Sequence, residues 1–516
     1  MDREQFRKAG YAAVDRICDY FETLESKDVV PNVQPGDVAK LIAPEAPEDG
    51  QPWDEIAKDF DRVIMPGITH WQHPNFYAYF PANTTYESIL ADMYTGAVSN
   101  PGFNWLCSPA CTELESVVMD WVAKMLGFND GWMNAGKVGG GIIMGSASES
   151  ALTVCIAARE RYMRLHPATP VSELVIVGTN QTHSLGAKAA LILGVEFVSI
   201  KTQAQDQWSL RGDALEAELQ ALEARGKKPF ILLATIGSTS TGAIDNIAEI
   251  TAVTAHHPDL FLHIDAAWAG VFLSLEECRQ DCYLDVINAR AKDANAAKNA
   301  AAICAGGEVH SFCTNLHKSG LVTFDASCLW IRDRQLLTSA LDVTPFYLRT
   351  EQASSGLVID FRNWQIPLGR RFRSLKIWYV LRSFGTNGFR AHLRKLVDLA
   401  RYFEAVVERE PGVELFTPRS FSLVVFRILD PSGDVEVENK LNAAFIKRSN
   451  DEHKIMLTQT SVGGKQCVRV AIGSRETEER HLKDSWEGII RPLIAQARED
   501  IKVSLSHSNP QVQAAC

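Results

Sequence analysis

Hydrophobic positions in the middle of the chain follow two alternating periods. Apolar runs at 173–177, 230–235 and 260–264 predict buried strands, and the segments 213–224 and 247–256 between them have the 3.6-residue period of amphipathic helices. Strands and helices that alternate at this spacing form βαβ units, whose strands run parallel. We therefore predict an α/β fold with a mostly parallel sheet.

The pattern changes on both sides of this region. Apolar residues recur at helical spacing near the N-terminus, and the proline-rich stretch that follows predicts an arm that wraps a second copy of the chain. An alanine-rich insertion and a stretch without a strong period, typical of a mobile loop, interrupt the large domain. The predicted division is an arm at 1–85, a large domain at 86–385 with the insertion at about 282–307 and the loop at about 336–356, a small domain at 386–498 and a frayed tail at 499–516.

Lys318 is the first residue that suggests chemistry. It lies at a polar turn between two apolar segments, 311–314 and 323–331, and burial there would lower the pKa of its amine until the amine is a nucleophile. A single lysine at a turn is more often a solvated surface group. Asp265 changes that balance because it ends an apolar strand, where α/β sheets bind ligands. A lysine and an aspartate in these places predict pyridoxal 5'-phosphate, with the aspartate on the pyridinium nitrogen.

Other polar residues are predicted at the same edge of the sheet. Ser146 and Ser148 precede a helix, where hydroxyl and backbone N–H groups can bind an anion, although an ordinary helix cap is the more common explanation of such residues when they are taken alone. His183 follows the strand at 173–177, and Thr239 follows the strand at 230–235. We expect these loops to converge on one site.

Composition narrows the class of protein. The formal net charge of −11 and the pI near 5.7 argue against binding to nucleic acid or to anionic membranes. No apolar run approaches the roughly 20 residues of a membrane span. The eleven cysteines show no metal-binding or disulfide framework, and the first residues lack the apolar core of a secretory signal, so we expect no metal and a reducing, cytoplasmic location.

The chain resembles the aromatic L-amino-acid decarboxylases, a group of pyridoxal-phosphate enzymes that act on DOPA, tyrosine or tryptophan. The likeness extends from about residue 6 to residue 494. The densest matches are at 73–81, 109–126, 145–149, 263–270, 315–318 and 364–376. The resemblance implies fold type I of the pyridoxal-phosphate enzymes, with a seven-stranded, mostly parallel sheet, a small C-terminal α+β domain, and a homodimer with shared active sites.

The resemblance also implies roles for individual residues. Lys318 would bind the cofactor covalently, Asp265 would pair with the pyridinium nitrogen, and His183 would stack on the ring. The residues expected at the phosphate or elsewhere on the cofactor are Ser146, Ala147, Ser148, Thr239, Ala267, Asn315 and His317. Some positions depart from the family pattern, since Leu316 replaces a proline, Ser319 replaces an aromatic residue, and Ala82 replaces a hydroxyl residue that helps to hold the phosphate.

The implied reaction is loss of carbon dioxide from an aromatic L-amino acid, with protonation of Cα by the loop residue Tyr347. One alternative is an aromatic acetaldehyde synthase, which deaminates its product oxidatively. That activity is associated with loss of the loop tyrosine or of the stacking histidine, and Tyr347 and His183 are both present. A second alternative is an aminotransferase of the same fold, which would need a cationic clamp for a second carboxylate.

Gly369 is the expected position of substrate selection. The family places this glycine against the aromatic ring of the substrate, and the missing side chain leaves room for an indole, so tryptophan or 5-hydroxytryptophan is expected, alongside phenylalanine, tyrosine and DOPA. An aromatic cluster in the arm is predicted either to be core or to form walls for a flat substrate. The predicted wall residues are Trp71, Tyr79, Phe80, Pro81 and Phe103.

Overall fold

The computed structural model describes most of the chain. The described residues are 1–136, 138–289, 307–345, 348, 350–354 and 356–507. Most of the predicted insertion at 282–307 lies outside them, and so does Tyr347.

A seven-stranded sheet forms the centre of the larger part of the molecule. Its strands follow the order β1-β7-β6-β5-β4-β2-β3, in which β7 runs antiparallel to both of its neighbours and the other adjacent pairs are parallel. This confirms the predicted α/β class and the mostly parallel sheet. The strands are β1 (Gly140–Met144), β2 (Leu174–Thr179), β3 (Glu196–Ile200), β4 (Lys228–Thr235), β5 (Phe261–Asp265), β6 (Ser311–Asn315) and β7 (Ser327–Ile331).

The glycines of β1 serve packing. A Cβ atom on Gly141 would come within 2.6 Å of the Trp330 ring on the adjacent strand β7, and one on Gly140 would come within 2.7 Å of the Trp364 ring. Only a strand without side chains at these positions allows the two tryptophans to pack against it. The glycine run therefore belongs to the sheet, and the predicted anion site begins after it, at Ser146.

Sixteen α-helices are found in the described residues. They are α1 (Arg3–Glu22), α2 (Asp37–Leu41), α3 (Trp53–Asp59), α4 (Tyr86–Val98), α5 (Pro109–Leu126), α6 (Ala147–Leu165), α7 (Leu185–Leu193), α8 (Gly212–Ala224), α9 (Ile247–Thr254), α10 (Leu284–Asn288), α11 (Gln335–Leu341), α12 (Glu351–Ser354), α13 (Ser374–Glu408), α14 (Val435–Asp451), α15 (Glu479–Ser485) and α16 (Arg491–His507). Helix α13 is interrupted at Gly385, whose φ of 63° lies outside the helical range.

Helix α6 packs against the sheet through small side chains. Ala151, Cys155 and Ala158 are fully buried in the core that the helix shares with the strands. Short side chains at these positions let the helix axis approach the sheet closely, and apolar burial stabilises the contact. The start of α6 is thereby fixed beside the ends of the strands.

A second, four-stranded sheet lies in the C-terminal region, in the order β10-β11-β9-β8. Its outer pairs, β10 with β11 and β8 with β9, are antiparallel, which agrees with the predicted α+β character. The strands are β8 (Val413–Leu415), β9 (Leu423–Ile428), β10 (Thr458–Val462) and β11 (Lys465–Ala471).

The chain forms two compact units. The first combines Met1–Pro81, Leu399–Phe416 and Val424–Cys516, and the second combines Ala82–Asp398 and Thr417–Leu423. Within the first, backbone hydrogen bonds join the N-terminal segment to the C-terminal one, for example from Tyr77 N to Met456 O at 3.0 Å. The division into an arm, a large domain and a small domain stays a prediction.

The predicted tail requires a correction. Residues 499–507 were expected to be frayed, but they continue helix α16. Their apolar positions recur at helical spacing with the preceding turns, which the polar composition of the last residues obscures in the sequence.

Candidate active site

Several hydrogen bonds hold the turn that carries Lys318. It follows β6 directly, and Lys318 N donates to Asn315 O at 3.3 Å while Asn83 Nδ2 donates to Lys318 O at 2.8 Å. Leu316 N donates to Ala326 O at 3.0 Å, a bond that a proline at this position cannot make. The half-buried lysine therefore sits on a rigid turn at the end of a central strand.

Asp265 ends β5, the strand beside β6, and only 4% of it is exposed. Its Oδ1 atom accepts a hydrogen bond from Ala267 N at 3.0 Å, and the Sγ atom of Cys313 lies 3.8 Å from the same oxygen. Because β5 and β6 are parallel neighbours, their carboxyl ends meet at one edge. The aspartate and the lysine turn thus lie at the same edge of the sheet, as predicted.

His183 belongs to the same site. It follows β2, and its Nδ1 atom accepts a hydrogen bond from Leu185 N at 3.2 Å. His183 is exposed on the single chain, but the partial burial of its ring lowers its pKa; the negative charge of Asp265 opposes this, and the positive charge of Lys318 adds to the lowering. The imidazole therefore interacts with both charged groups, and the structure brings these three predicted residues together.

His317, next to the lysine, is a buried neutral ring. Burial and the charge of Lys318 lower its pKa to about 4, although Asp325 acts in the opposite direction. Its Nδ1 atom accepts a hydrogen bond from Ala326 N at 2.8 Å, which leaves Nε2 as the protonated nitrogen of the neutral ring. The ring thus ties the lysine turn to the start of β7.

The predicted anion site coincides with the start of α6. Ser146 is the N-cap residue, and its hydroxyl accepts a hydrogen bond from Glu149 N at 3.2 Å, while Ala147 and Ser148 form the first turn. The hydroxyl oxygen of Ser146 therefore caps the helix, as the alternative explanation predicted. The hydroxyl hydrogen and the positive end of the helix dipole still suit a phosphate group.

Asn315 supplies a test of whether the site suits pyridoxal phosphate. It is buried at the end of β6, and its Oδ1 atom has no hydrogen-bond partner within the described part of the chain. A buried amide atom without a partner costs free energy, and if this amide is turned by 180° its NH2 group takes that place and can donate to a phosphate oxygen. The same unit also contains the amine of Lys318, the carboxylate of Asp265 and the N-terminus of α6. These groups suit the aldehyde, the ring nitrogen and the phosphate of pyridoxal phosphate, so the residues present fit the cofactor. Thr239 and Ala267 lie half-buried in loops after β4 and β5.

The predicted substrate walls fall in both units. Trp71, Tyr79, Phe80 and Pro81 lie in the first, where the rings of Trp71 and Tyr79 stack with their centroids 5.6 Å apart. The Arg469 guanidinium lies over the Phe80 ring at 4.9 Å.

Phe103 and Gly369 lie in the second unit, on neighbouring segments. Arg370 N donates to Pro101 O at 2.6 Å, which joins the two segments. A Cβ atom on Gly369 would have Pro101 Cβ as its nearest neighbour, at 4.0 Å. Gly369 is exposed on the single chain, so a side chain could be added there without a clash, and its role in substrate selection stays a prediction.

Two features of the site were missed in the sequence. Cys313 contacts Asp265. The sequence could have indicated this, because Cys313 lies two residues before Asn315 in the same strand, and residues at this spacing point to the same face of the sheet. The buried pair of Glu115 and Arg370, 2.6 Å apart, fixes the segment that carries Gly369, and nothing in the sequence connects residues so far apart along the chain.

The chain matches the family model described as the pyridoxal-dependent decarboxylase conserved domain over residues 35–429. It belongs to this family. Aromatic-L-amino-acid decarboxylase of Sus scrofa is 39% identical over 96% of this chain and 97% of that protein. Phenylacetaldehyde synthase of Arabidopsis thaliana is 38% identical over 94% of this chain and 95% of its own length. The solved structure of Oryza sativa TDC with PLP and tryptamine superposes with a TM-score of 0.89, at 32% identity over 96% of this chain and 99% of that one.

These similarities confirm the family resemblance, the fold type and the cofactor. The protein is a carboxy-lyase that uses pyridoxal 5'-phosphate. Within the described ranges, no helix is long and apolar enough to cross a membrane, and no group of histidine, cysteine or acidic residues has the arrangement of a metal site.

Proposed function

We propose that this decarboxylase converts aromatic L-amino acids to arylethylamines and carbon dioxide, with tryptophan or 5-hydroxytryptophan among its substrates and phenylalanine, tyrosine and DOPA also accepted. The single observation that carries the indole assignment is the absence of a side chain at Gly369, the position that the family places against the aromatic ring of the substrate. Relatives named for tryptophan, tyrosine and general aromatic substrates support the substrate class.

In the proposed mechanism, the chain holds the cofactor at three points. Lys318 would bind it covalently, the Asp265 carboxylate would pair with the protonated pyridine nitrogen, and the start of α6 with the NH2 group of Asn315 would hold the phosphate. Bound pyridoxal phosphate supplies a ring that takes up the electron pair of the broken Cα–carboxylate bond. His183 would lie against that ring, and its lowered pKa favours the neutral imidazole in this place.

Two further steps depend on the surroundings of the substrate. Apolar walls strip water from the substrate carboxylate, which disfavours its charged ground state more than the dispersed transition state. Tyr347 gives its proton to Cα after carbon dioxide has left. The Tyr347 assignment rests on the family motif and concerns a residue outside those that the structure describes.

An aromatic acetaldehyde synthase is the second candidate. The observation that favours it is the similarity to phenylacetaldehyde synthase of Arabidopsis thaliana and to 3,4-dihydroxyphenylacetaldehyde synthase of Drosophila melanogaster. We favour the amine because the chain retains both Tyr347 and His183. The two products differ in stoichiometry, since an aldehyde synthase consumes oxygen and releases ammonia and peroxide.

The assembly that we propose is a homodimer with shared active sites. Helix α4 carries a stripe of large apolar side chains that are between 44% and 62% exposed, and they recur at helical spacing. A second copy of the chain would cover this stripe and would bring Phe103 and Gly369 of one subunit to the active site of the other. The stripe consists of Tyr86, Leu90, Met93, Tyr94 and Val98.

For the cell compartment we propose the cytoplasm. The nine cysteines among the described residues are all free thiols, which is typical of proteins from a reducing environment.

One assay tests the proposed function. Purified protein loaded with pyridoxal phosphate is incubated separately with tryptophan, 5-hydroxytryptophan, tyrosine, phenylalanine and DOPA, and amine, carbon dioxide, aldehyde and peroxide are measured. We expect equal amounts of amine and carbon dioxide, with an indole among the substrates that turn over. Peroxide and aldehyde in amounts equal to carbon dioxide would establish the second candidate instead.

A further inference from the structure

The Asp265 carboxylate sits between two buried side chains on neighbouring strands. In the sheet register Asp265 pairs with Thr235 of β4 on one side and with Cys313 of β6 on the other. Residues paired in a parallel sheet project from the same face, so these three side chains form a row across the sheet. All three are buried.

The two oxygens of this carboxylate have different surroundings. Oδ1 accepts a hydrogen bond from Ala267 N at 3.0 Å, and Cys313 Sγ lies within donor distance of it at 3.8 Å. Oδ2 receives no hydrogen bond from any of the residues that the structure describes. One oxygen is therefore held by the protein, and the other remains available to a ligand.

The thiol of Cys313 is suited to donate. It is completely buried, and burial together with the charge of Asp265 raises its pKa well above the usual value. The S–H group is therefore retained at neutral pH, and the neighbouring carboxylate is its hydrogen-bond acceptor.

We propose that Cys313 is a positioning residue for the cofactor: its thiol and the Ala267 amide together fix Oδ1 of Asp265, so that Oδ2 is presented to the pyridine nitrogen. The inference rests on the proposed role of Asp265. The χ2 torsion of an aspartate is broad, and a single donor on Oδ1 leaves the carboxylate free to rotate about it. A second donor from the adjacent strand removes that freedom.

A thiol also suits the electrostatics of this position. A strong donor on Oδ1 would withdraw charge from the carboxylate and weaken its hold on the protonated ring nitrogen. The thiol is a weak donor, and it orients the carboxylate while leaving most of the negative charge on the oxygens. Packing alone is the common role of a buried cysteine, and Cys328, equally buried in β7 and paired with Thr314, represents that role here.

The test compares two probes on four proteins. The probes are pyridoxal phosphate and its analogue with CH in place of the ring nitrogen, and the proteins are the native chain, Cys313→Ala, Cys313→Ser and Cys328→Ala. The dissociation constant of each probe is measured by fluorescence quenching, and thermal unfolding without the cofactor checks that each variant is folded.

We expect the native protein to bind pyridoxal phosphate more tightly than the analogue. Cys313→Ala should reduce this preference by roughly 2- to 10-fold, the effect of one hydrogen bond, while binding of the analogue stays unchanged. Cys328→Ala, which removes a thiol elsewhere in the sheet, should keep the preference in full. Cys313→Ser retains a donor, but its hydroxyl is a stronger donor than the thiol, so this variant should lose less of the preference than Cys313→Ala without reaching the native value. The absorbance maximum of the lysine-bound cofactor should shift in Cys313→Ala alone.

The remaining outcomes separate two failures. A native protein without preference for the ring nitrogen would overturn the role of Asp265 and, with it, this proposal. A native preference that Cys313→Ala retains in full would overturn the role of Cys313 and leave that of Asp265 standing. An equal loss in Cys328→Ala would show that packing causes the effect, which also overturns the proposal.

Discussion

Leu316 shows how one substitution alters the turn that carries Lys318. The family usually has a proline at this position, and the leucine adds a backbone hydrogen bond to Ala326, 3.0 Å long. A net hydrogen bond contributes about 1 kcal/mol, so the turn retains its geometry without the rigidity of a proline ring. Lys318 is thus positioned by a backbone hydrogen bond in place of a proline ring.

Replacing Lys318 with alanine tests the covalent role of this lysine. We expect Lys318→Ala to lose the visible absorbance of the covalently bound cofactor and to lower kcat on the order of 10³-fold or more, because no other group replaces the nucleophile. Borohydride reduction followed by peptide mass spectrometry measures the covalent attachment. Lys188→Ala is the control, because the positive charge of this exposed lysine also lowers the pKa of His183 but the lysine has no proposed covalent role. A pyridoxyl label that persists in Lys318→Ala would refute the assignment.

The Gly369→Ser variant tests substrate selection. The open space at this position means that a serine fits without a clash in the isolated chain, so the variant should fold. A hydroxymethyl group in the substrate pocket should lower the ratio of kcat/KM for tryptophan over tyrosine by about tenfold, since changes of this size are worth about 1–3 kcal/mol.

The matched control is Gly488→Ser, at a glycine whose added Cβ would also meet nothing within 4 Å. It should leave the ratio unchanged. If Gly369→Ser leaves the ratio unchanged as well, the proposal that Gly369 selects the substrate loses its support.

Among the helices, α4 has the clearest unassigned surface. Its buried side is anchored through Ser88 and Ala91, whereas the stripe defined above faces outward. A helix with two apolar sides is stable at a protein surface only when both sides are covered. A dimer contact is the reason that we give for this pattern.

We predict that Leu90→Glu converts the dimer to monomers. A carboxylate without a partner in a buried contact costs about 3 kcal/mol or more, which corresponds to a roughly 100-fold higher dissociation constant. Analytical ultracentrifugation at several concentrations measures it. Leu191→Glu makes the same change at a leucine of α7 that is 82% exposed, and it should remain dimeric. Dimerisation that is equally strong in both variants would place the interface elsewhere.

For the protein as a whole, three buried histidines make the free energy of unfolding fall as the pH decreases, while the buried carboxyl of Asp245, whose pKa burial raises to about 6, opposes them with the effect of a single group. Burial lowers the pKa of His73 and His317 to about 4 and that of His263 to about 3. All three are less than a tenth exposed. In the unfolded chain each would titrate near 6.5, so between about pH 6 and pH 4 the unfolded state binds more protons than the folded state.

The contribution of these histidines to the free energy of unfolding should therefore be fully present above about pH 6.5. It should fall as the pH decreases, by up to roughly 4 kcal/mol per pH unit near pH 5 for the three groups together. Urea unfolding at pH 7.5, 6.5 and 5.5 measures this slope. His263→Gln keeps a hydrogen-bonding group beside Ser311 and should reduce the slope by about a third, while His256→Gln at an exposed site should not. A slope that His263→Gln leaves unaltered would contradict the assignment.

The sequence alone determined the fold class, the cofactor and the placement of Lys318 and Asp265 at the same edge of the sheet. These follow from local information, since apolar runs at fixed periods define strands and helices, and the carboxyl ends of parallel strands meet at one edge whatever the details of packing. His183 was predicted by the same rule, because it follows β2.

Tertiary structure decided what depends on contacts between distant residues. The packing of Gly140 and Gly141 against tryptophan rings, the proximity of Cys313 to Asp265 and the helical continuation of residues 499–507 each depend on which residues become neighbours in space. Sequence periodicity shows which side of a strand or helix is buried, but it does not specify the atoms on the other side of the contact. The free energy of those contacts fixes the details of the site, and only the folded chain brings the contacting atoms together.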